Sequence, residues 1–163
     1  IDEIVEARKD TTVVLHPLSD HRRILPLEKN GEIIEAHKDF VLVVSYNPGY
    51  QNLLKGLKPS TKQRFVTLEF DYPKEELEIS IVCQQTAIDI KTASQLVGLA
   101  REIRNLKDSD INESVSTRLI IYTALMIKNG LSAQDACNHC LILPLTDDQE
   151  IIEALKRLAH NYF

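Results

Sequence analysis

The sequence predicts an α/β fold in which residues 1–73 carry the strands and residues 74–163 form an all-helical lobe. Two observations indicate this division. Short β-branched runs and a hairpin signal are concentrated before Pro73, whereas the apolar residues that follow recur at helical spacing. Hydrophobic residues make up 44% of the chain, which is enough for a packed core and excludes intrinsic disorder for most of the sequence.

Composition excludes several classes of protein. The net charge of −5, from 19 basic and 24 acidic residues, argues against general nucleic-acid binding. The longest apolar runs, at residues 40–44 and 119–127, are too short to span a membrane. Three cysteines are too few for a disulfide scaffold and no signal peptide is visible, so we expect a cytoplasmic protein.

The strand signals lie in three places. Asn30-Gly31 separates two apolar-alternating runs, Arg23–Leu27 and Glu32–Glu35, and predicts a hairpin closed by a type I′ turn. The continuous β-branched run Phe40–Ser45 is typical of a strand buried on both faces, as in a parallel sheet. Val66–Phe70 predicts a further short strand.

Capping residues and apolar spacing predict the helices. These run from Thr11 to about Ser19 with a kink at Pro17, over Asn52–Leu57 and Ser60–Gln63 as short turns, from Lys74, through Leu96–Lys107, from Ser116 to Asn129, from Ser132 to near Pro144, and after Thr146. Asp10 is a candidate N-cap of the first helix. Leu77 is expected on the buried face of the helix that begins near Lys74, and Leu106 on that of the next.

Asp2 and Glu3 form the first candidate site, at the point where an apolar strand would end. Two adjacent carboxylates there could divide the work of phosphoryl transfer, one orienting a hydrated Mg²⁺ and the other polarising the attacking water. For an isolated Asp-Glu dipeptide, a solvated helix start is the simpler interpretation.

Asn47, Arg64 and Arg118 are the other candidate residues. Asn47 follows the predicted strand at its carboxyl end, where open α/β sheets bind ligands, although an ordinary turn is the alternative. Arg64 could neutralise phosphate charge from a neighbouring subunit, and Arg118 could reach the same phosphate from a helix start. A lone arginine of either kind is more often a solvated surface residue.

The order and spacing of these residues resemble the second half of an AAA+ ATPase, closest to the MoxR family and its CbbQ, NirQ and NorQ branch. Residues 1–10 (IDEIVEARKD) resemble the end of the Walker B region. Residues 43–51 (VVSYNPGYQ) and 57–65 (LKPSTKQRF) resemble the sensor 1 and arginine-finger stretches. Residues 116–118 (STR) are similar to the sensor 2 motif, and residues 144–148 (PLTDD) to the stretch before the last helix.

The resemblance implies a fold, cofactors and residue roles. The fold would be the C-terminal part of an AAA+ P-loop NTPase core, a parallel sheet with an inserted β-hairpin, followed by an all-α lid. The cofactors would be ATP and Mg²⁺, with Asp2 as the metal ligand and Glu3 as the general base. Asn47 would position the attacking water, Arg64 would act in trans, and Arg118 would sense the γ-phosphate, so that all three contact the nucleotide.

The resemblance also implies partners. Proteins of this kind form rings, here expected to be hexamers, and act with a von Willebrand factor A-domain partner. Their client would be a metalloenzyme, either Rubisco or a nitric oxide or nitrite reductase. The hairpin over Ile24–Ile34 would face the ring pore and contact the client. Movement about Asp71-Tyr72-Pro73 would couple the nucleotide state to the hairpin.

One motif of the family is missing. The phosphate cradle G-x-x-x-x-G-K-S/T does not occur, and none of the five glycines precedes a lysine. We therefore expect a part of a longer ATPase that does not hydrolyse ATP alone, and whose strand edges at Phe40–Val44 and Val66–Phe70 favour association. The alternative is a non-enzymatic ring-assembly or partner-docking module, although such a module has no chemical reason to keep all five candidate residues.

Cys137 and Cys140 have the C-x-x-C spacing of a metal half-site. A structural zinc site needs four ligands, and Cys83 is the only other cysteine in the sequence. Both residues would lie on one face of a helix, so packing in the core is the simpler interpretation.

Overall fold

The structure, a computed structural model, describes residues 1–6, 13–27, 29–47, 57–106 and 114–163. The chain divides into two compact units, Ile1–Glu69 and Phe70–Phe163. The predicted boundary after residue 73 lies just inside the second unit. None of the helices in the described ranges combines the length and the apolarity that crossing a lipid bilayer requires.

A β-hairpin is the one sheet among the described residues. Its strands β1 (Ile24–Leu27) and β2 (Glu32–Glu35) are antiparallel, with Ile24 opposite Glu35, so the predicted hairpin is confirmed. The predicted type I′ turn is wrong, because that turn needs a positive φ at both central residues. Gly31 has a φ of 67°, but Asn30 is not among the described residues with positive φ. The Leu27 carbonyl accepts both the Asn30 and the Gly31 N–H, which closes a longer loop.

Backbone hydrogen bonds join the segment Phe40–Ser45 to the first residues of the chain. The Ile1 amino group donates to the Val43 carbonyl over 2.8 Å, and the Ser45 N–H donates to the Ile1 carbonyl over 3.0 Å. Two such bonds around one residue are the pattern of a parallel pair, here with Ile1 opposite Val44. The direction of this pairing agrees with the predicted parallel sheet.

The rest of the predicted parallel sheet is not formed. Val41 and Val43 are 77% and 71% exposed, so the prediction that their segment is buried on both faces is wrong. Val66, Leu68 and Phe70 are 92%, 76% and 90% exposed, and the predicted strand there is also absent from this described part of the chain. A strand is stable only when a neighbouring strand completes its backbone hydrogen bonds. The α/β fold is therefore present in part.

Short helices accompany the hairpin in the first unit. These are a 3-10 turn at Ile4–Glu6, helix α1 at His16–Ser19 and helix α2 at Pro59–Lys62. Helix α2 confirms the turn predicted over Ser60–Gln63. The chain turns at Leu15, so the first predicted helix is interrupted next to Pro17, where a kink was expected. Its predicted cap Asp10, and most of the turn predicted over Asn52–Leu57, lie outside the described residues.

The second unit is helical, as predicted. Its helices are α3 (Glu75–Thr86), α4 (Ile90–Asn105), α5 (Thr117–Lys128), α6 (Ala133–Cys137), which continues as a π-helical turn at Asn138–Ile142, and α7 (Gln149–His160). The side chains of Asp89, Ser116, Ser132 and Asp148 accept backbone N–H groups at the starts of α4 to α7. Gly130 follows the end of α5 with a φ of 97°, which confirms the predicted stop.

The core of the second unit lies mainly where the apolar spacing predicts it. The predicted core residues Leu96, Leu99, Ala100 and Ile103 of α4 are at most 2% exposed. Two predictions are wrong, since Leu77 is 56% exposed and Leu106 is 44% exposed. On α3 the buried face instead contains Glu78, Val82 and Thr86, because an ion pair of Glu78 occupies the position expected for an apolar residue.

Candidate functional site

The structure brings Asp2, Glu3 and Asn47 together. The side-chain amide of Asn47 donates to Oε1 of Glu3 over 3.0 Å. The hydroxyl oxygen of Ser45 accepts the backbone N–H of Glu3 over 3.2 Å, and the same hydroxyl donates to Oδ1 of Asp2. All four residues are exposed, so both carboxylates are accessible to a ligand.

This grouping follows from the parallel pairing of Ile1 with Val44. Because parallel segments run in the same direction, the residues that follow each of them meet at one edge. Asp2 and Glu3 follow Ile1, and Asn47 follows Val44. The local backbone thus places two carboxylates and an amide at the edge where ligands bind in open α/β sheets.

The backbone at Glu3 is strained. Its φ of 48° lies in the left-handed region, which costs a non-glycine residue about 1–2 kcal/mol. Such strain persists only where the surrounding contacts hold it, and it is concentrated at functional sites. Here the hydrogen bonds from Ser45 and Asn47 hold the residue, so the strain supports a functional role for the Glu3 carboxylate.

The chemistry of this set suits a hydrated divalent cation beside a water nucleophile. Asp2 offers carboxylate oxygens, the ligand type that Mg²⁺ prefers. Glu3 presents a carboxylate that a neutral amide orients, and such a group can accept a proton from a bound water. The amide of Asn47 has both a donor and an acceptor, so it can also hold a water molecule.

Arg64 follows helix α2 directly and is loosely held. Its guanidinium donates to the carbonyl of Ser60, and its Nε lies 3.9 Å from Oδ2 of Asp20. Asp20 is engaged mainly by Arg22, which contacts its two carboxylate oxygens over 3.0 and 2.7 Å. This hydrogen bonding from Arg22 holds the pKa of the Asp20 carboxyl well below its usual range. The weak contact leaves Arg64, 30% exposed in its side chain, able to exchange partners.

Two contacts fix helix α2 within the first unit. Nε2 of His16 lies 2.9 Å from Oγ1 of Thr61, which is buried. The ammonium of Lys62 lies 5.4 Å from the ring centre of Tyr46, the residue that precedes Asn47. The helix that precedes Arg64 is therefore connected to the segment that carries the amide.

Arg118 lies in the second unit, as the second residue of α5. Its side chain is exposed and makes no hydrogen bond or ion pair with any residue that the structure describes. Ser116, the N-cap, accepts the Leu119 N–H over 3.3 Å and fixes the helix start. A guanidinium in this position is available to an anionic ligand.

The start of α5 also carries a buried ion pair that sequence reasoning does not find. Arg104 donates to both carboxylate oxygens of Glu78, each over 2.8 Å, and its Nε donates to the Val115 carbonyl over 2.8 Å. The Thr117 hydroxyl donates to Oε1 of Glu78 over 2.7 Å. The available signal was the position of Glu78 four residues before Val82, because this spacing places a charge on the apolar face of α3.

Burial and hydrogen bonding act in opposite directions on Glu78. Burial alone would raise the pKa of its carboxyl, but the hydrogen bonds from Arg104 and Thr117 outweigh that effect and leave the pKa below its ordinary value. The carboxylate is therefore charged in the folded protein at neutral pH. Arg104 and Thr117 satisfy that charge inside the helical unit.

Cys137 packs inside the core of the second unit. Its side chain is fully buried, and burial raises the pKa of the thiol to about 12. A thiol held neutral in this way is a poor nucleophile and a poor metal ligand. Within the described ranges, no group of three or more His, Cys, Asp or Glu side chains comes together as a metal site.

Comparison with known proteins adds the relatives. The family model described as CbbQ/NirQ/NorQ C-terminal matches residues 78–162, and that described as AAA domain (dynein-related subfamily) matches residues 1–65. Three proteins are similar over the entire chain: Protein CbbQ of Hydrogenophilus thermoluteolus at 52% identity, Protein NorQ of Paracoccus denitrificans at 53%, and the Denitrification regulatory protein NirQ of Stutzerimonas stutzeri at 51%. The chain spans 61%, 60% and 59% of their respective lengths.

The two family matches follow the order of the motifs. The AAA match includes the stretches that resemble the Walker B end, sensor 1 and the arginine finger, and the C-terminal match includes Arg118. The C-terminal match alone covers more than half of the chain. The resemblance seen in the sequence is therefore confirmed, and the chain belongs to the CbbQ/NirQ/NorQ branch of the AAA+ proteins.

Proposed function

We propose that this chain works as part of an ATP-hydrolysing, MoxR-type AAA+ protein that remodels or activates a metalloenzyme. The observation that carries the proposal is the hydrogen bond from Asn47 to Glu3 over 3.0 Å. It joins an amide and a carboxylate from distant positions, and phosphoryl transfer to water needs both beside the nucleophile. Membership of the AAA+ family supports the same activity.

Each residue of the cluster has a separate role in this proposal. Asp2 would hold Mg²⁺ through its carboxylate, and Glu3 would take a proton from the attacking water. Asn47 would orient that water and keep the Glu3 carboxylate aimed at it. Bound ATP and Mg²⁺ would supply the phosphoryl group and neutralise the charge that develops on it.

The two arginines would act on the phosphates from different directions. Arg64 would reach a nucleotide held by a neighbouring subunit, and its weak contact with Asp20 supports this because little is lost when the arginine changes partner. Arg118 would sense the γ-phosphate, which its exposed position supports. An arginine that acts in trans needs a ring, here proposed to be a hexamer of identical chains.

ATP turnover also needs a phosphate cradle, which is missing from this sequence. We therefore expect the chain by itself to be inactive and the longer protein to be active. The relatives are longer than this chain, which is consistent with a cradle outside it.

The proposed client is a metalloenzyme of the Rubisco or nitric oxide or nitrite reductase type, in the cytoplasm. The names of the CbbQ, NorQ and NirQ relatives support this class. The hairpin β1–β2 is the proposed client contact, because Ile33 and Ile34 are 64% and 47% exposed. A von Willebrand factor A-domain protein would complete the complex.

The alternative is a non-enzymatic module that assembles a ring or docks a partner. The missing cradle favours it, whereas the strained Glu3 and its contact with Asn47 favour the ATPase, because docking gives no reason to maintain that strain.

A glutamate-to-glutamine comparison in the full-length protein separates the two proposals. Glu3→Gln keeps the side-chain size but removes the base, so ATP turnover should fall by about 10²–10⁴-fold while ATP still binds. Glu153→Gln, on the exposed face of α7, is the matched control and should hydrolyse ATP at the wild-type rate. Turnover by Glu3→Gln equal to that control would refute the ATPase assignment.

A further inference from the structure

We propose that the buried pair of Glu78 and Arg104 positions Arg118, and that Tyr72 connects this positioning to the segment that begins the second unit. This inference rests on the proposed role of Arg118 as a phosphate sensor. The four residues lie in one compact unit, and three of them, all but Arg118, are joined by side-chain contacts.

The pair holds the start of α5 at two points. Arg104 donates from Nε to the carbonyl of Val115, and Glu78 accepts the hydroxyl of Thr117. These two residues flank the N-cap Ser116, and Arg118 follows immediately. The direction in which the helix leaves its cap is therefore set by the buried pair.

Arg118 depends on that direction because nothing else in the described chain holds it. Its exposed side chain has no hydrogen-bond or ion-pair partner among the residues described. The position of its guanidinium is thus determined by the backbone at the helix start. A small rotation of α5 about Thr117 would move the end of this long side chain by more than it moves the backbone.

Stability alone does not explain a charged pair at this place. Glu78 is fully buried and Arg104 is 7% exposed, and removing two charges from water offsets most of their attraction. Apolar residues of similar volume are often at least as stable in such a position. A bidentate ion pair differs from an apolar contact in fixing distance and angle, which is what a positioning role requires.

Tyr72 extends the network to the beginning of the second unit. Its ring centre lies 3.8 Å from the guanidinium carbon of Arg104, within the range of a cation–π contact. Tyr72 belongs to residues 70–74, which precede α3. A displacement of this segment therefore acts on Arg104, which contacts both Glu78 and the backbone ahead of Arg118.

The test compares Thr117→Val with Thr117→Ser in the full-length protein. Valine removes the hydroxyl bond to Glu78 but keeps the ion pair, whereas serine keeps the bond. We expect Thr117→Val to weaken ATP binding by about fivefold or more, the size of one hydrogen bond to a charged group, with ADP binding unchanged. Thr117→Ser should bind both nucleotides as the wild type does. Equal losses for ATP and ADP, or no loss for ATP, would overturn the proposal.

Arg118→Ala supplies the control for the underlying assignment. It should weaken ATP binding selectively, and adding Thr117→Val to it should cause no further loss, because the two changes act through one guanidinium. Additive losses would contradict positioning. Arg118→Ala without any effect on ATP binding would instead contradict the proposed sensor role itself.

Tyr72→Leu provides a second, independent variant, compared with Tyr72→Phe, which keeps the ring over Arg104. The leucine variant should show the same selective loss of ATP binding, and the phenylalanine variant should not. Equal ATP binding by the two Tyr72 variants would remove Tyr72 from the network. Melting curves of each protein with and without nucleotide establish that every variant is folded.

Discussion

Asn47 donates a hydrogen bond to the carboxylate of Glu3 over 3.0 Å, although 44 positions separate them in the sequence. The contact forms because Ile1 and Val44 pair in parallel, so the residues after them meet at one edge. Glu3 adopts a φ of 48° in making it, a conformation that its contacts must hold. An exposed amide and carboxylate held at such a cost indicate a site for chemistry rather than a stabilising contact.

Replacing Asn47 with alanine should lower kcat for ATP in the full-length protein by about 10²-fold, since a positioned donor of this kind contributes on that scale. The KM for ATP should change little, because the amide acts on water more than on the nucleotide. Asn105→Ala, at the exposed end of α4, is the matched control and should retain wild-type kcat. Steady-state ATPase kinetics measure both constants. A rise in KM at constant kcat would assign Asn47 to nucleotide binding instead.

Local signals in the sequence were sufficient for the elements that local forces determine. The hairpin over Ile24–Ile34 and the caps of α5 and α7 depend on a few adjacent residues, so the sequence predicts them. The strands at Phe40–Ser45 and Val66–Phe70 depend on neighbours elsewhere in a sheet, and without such neighbours the propensity of these runs does not produce a strand.

The site shows the same distinction between local and distant forces. Parallel pairing, which the β-branched run of Phe40–Ser45 indicates, is enough to predict that Asp2, Glu3 and Asn47 lie together. The Glu78–Arg104 pair was missed because two charges in separate helices carry no shared pattern. Its discovery needed the packing of α3 against α4.

Single and double replacement of the buried pair should differ sharply in stability. Glu78→Gln leaves the Arg104 charge buried without its counterion and should lower the free energy of unfolding by about 3–5 kcal/mol. Glu78→Leu combined with Arg104→Met removes both charges and should recover most of that loss. Urea unfolding followed by far-UV circular dichroism measures the difference. If the double variant is as unstable as the single one, the pair stabilises the fold in its own right.

Acid should destabilise the second unit through Glu78. Because the folded state lowers the pKa of this carboxyl, its stabilising contribution is complete above the unfolded-state pKa and is lost as the pH falls through the folded-state value. The Glu78→Leu/Arg104→Met variant lacks this group, so its urea midpoint should fall less between pH 7 and about pH 3 than that of the wild type. Asp20 and Asp89 also have lowered pKa values and remain in both proteins, so the difference isolates Glu78. Parallel acid titrations of the two proteins would contradict this assignment.

The exposed segment around Val66 and Leu68 should make the isolated chain self-associate. These side chains are 92% and 76% exposed, and an unpaired apolar segment of extended residues is a template for intermolecular pairing. Val66→Lys combined with Leu68→Lys should therefore reduce the concentration-dependent mass measured by light scattering. Gln84→Lys with Ser94→Lys adds the same charge on exposed helix positions and is the matched control. If both double variants reduce the mass equally, net charge rather than the segment causes association. In the full-length protein the first double variant should instead lower the yield of folded protein, because there the two side chains would be covered by the completed sheet and lysine would bury an unpaired charge.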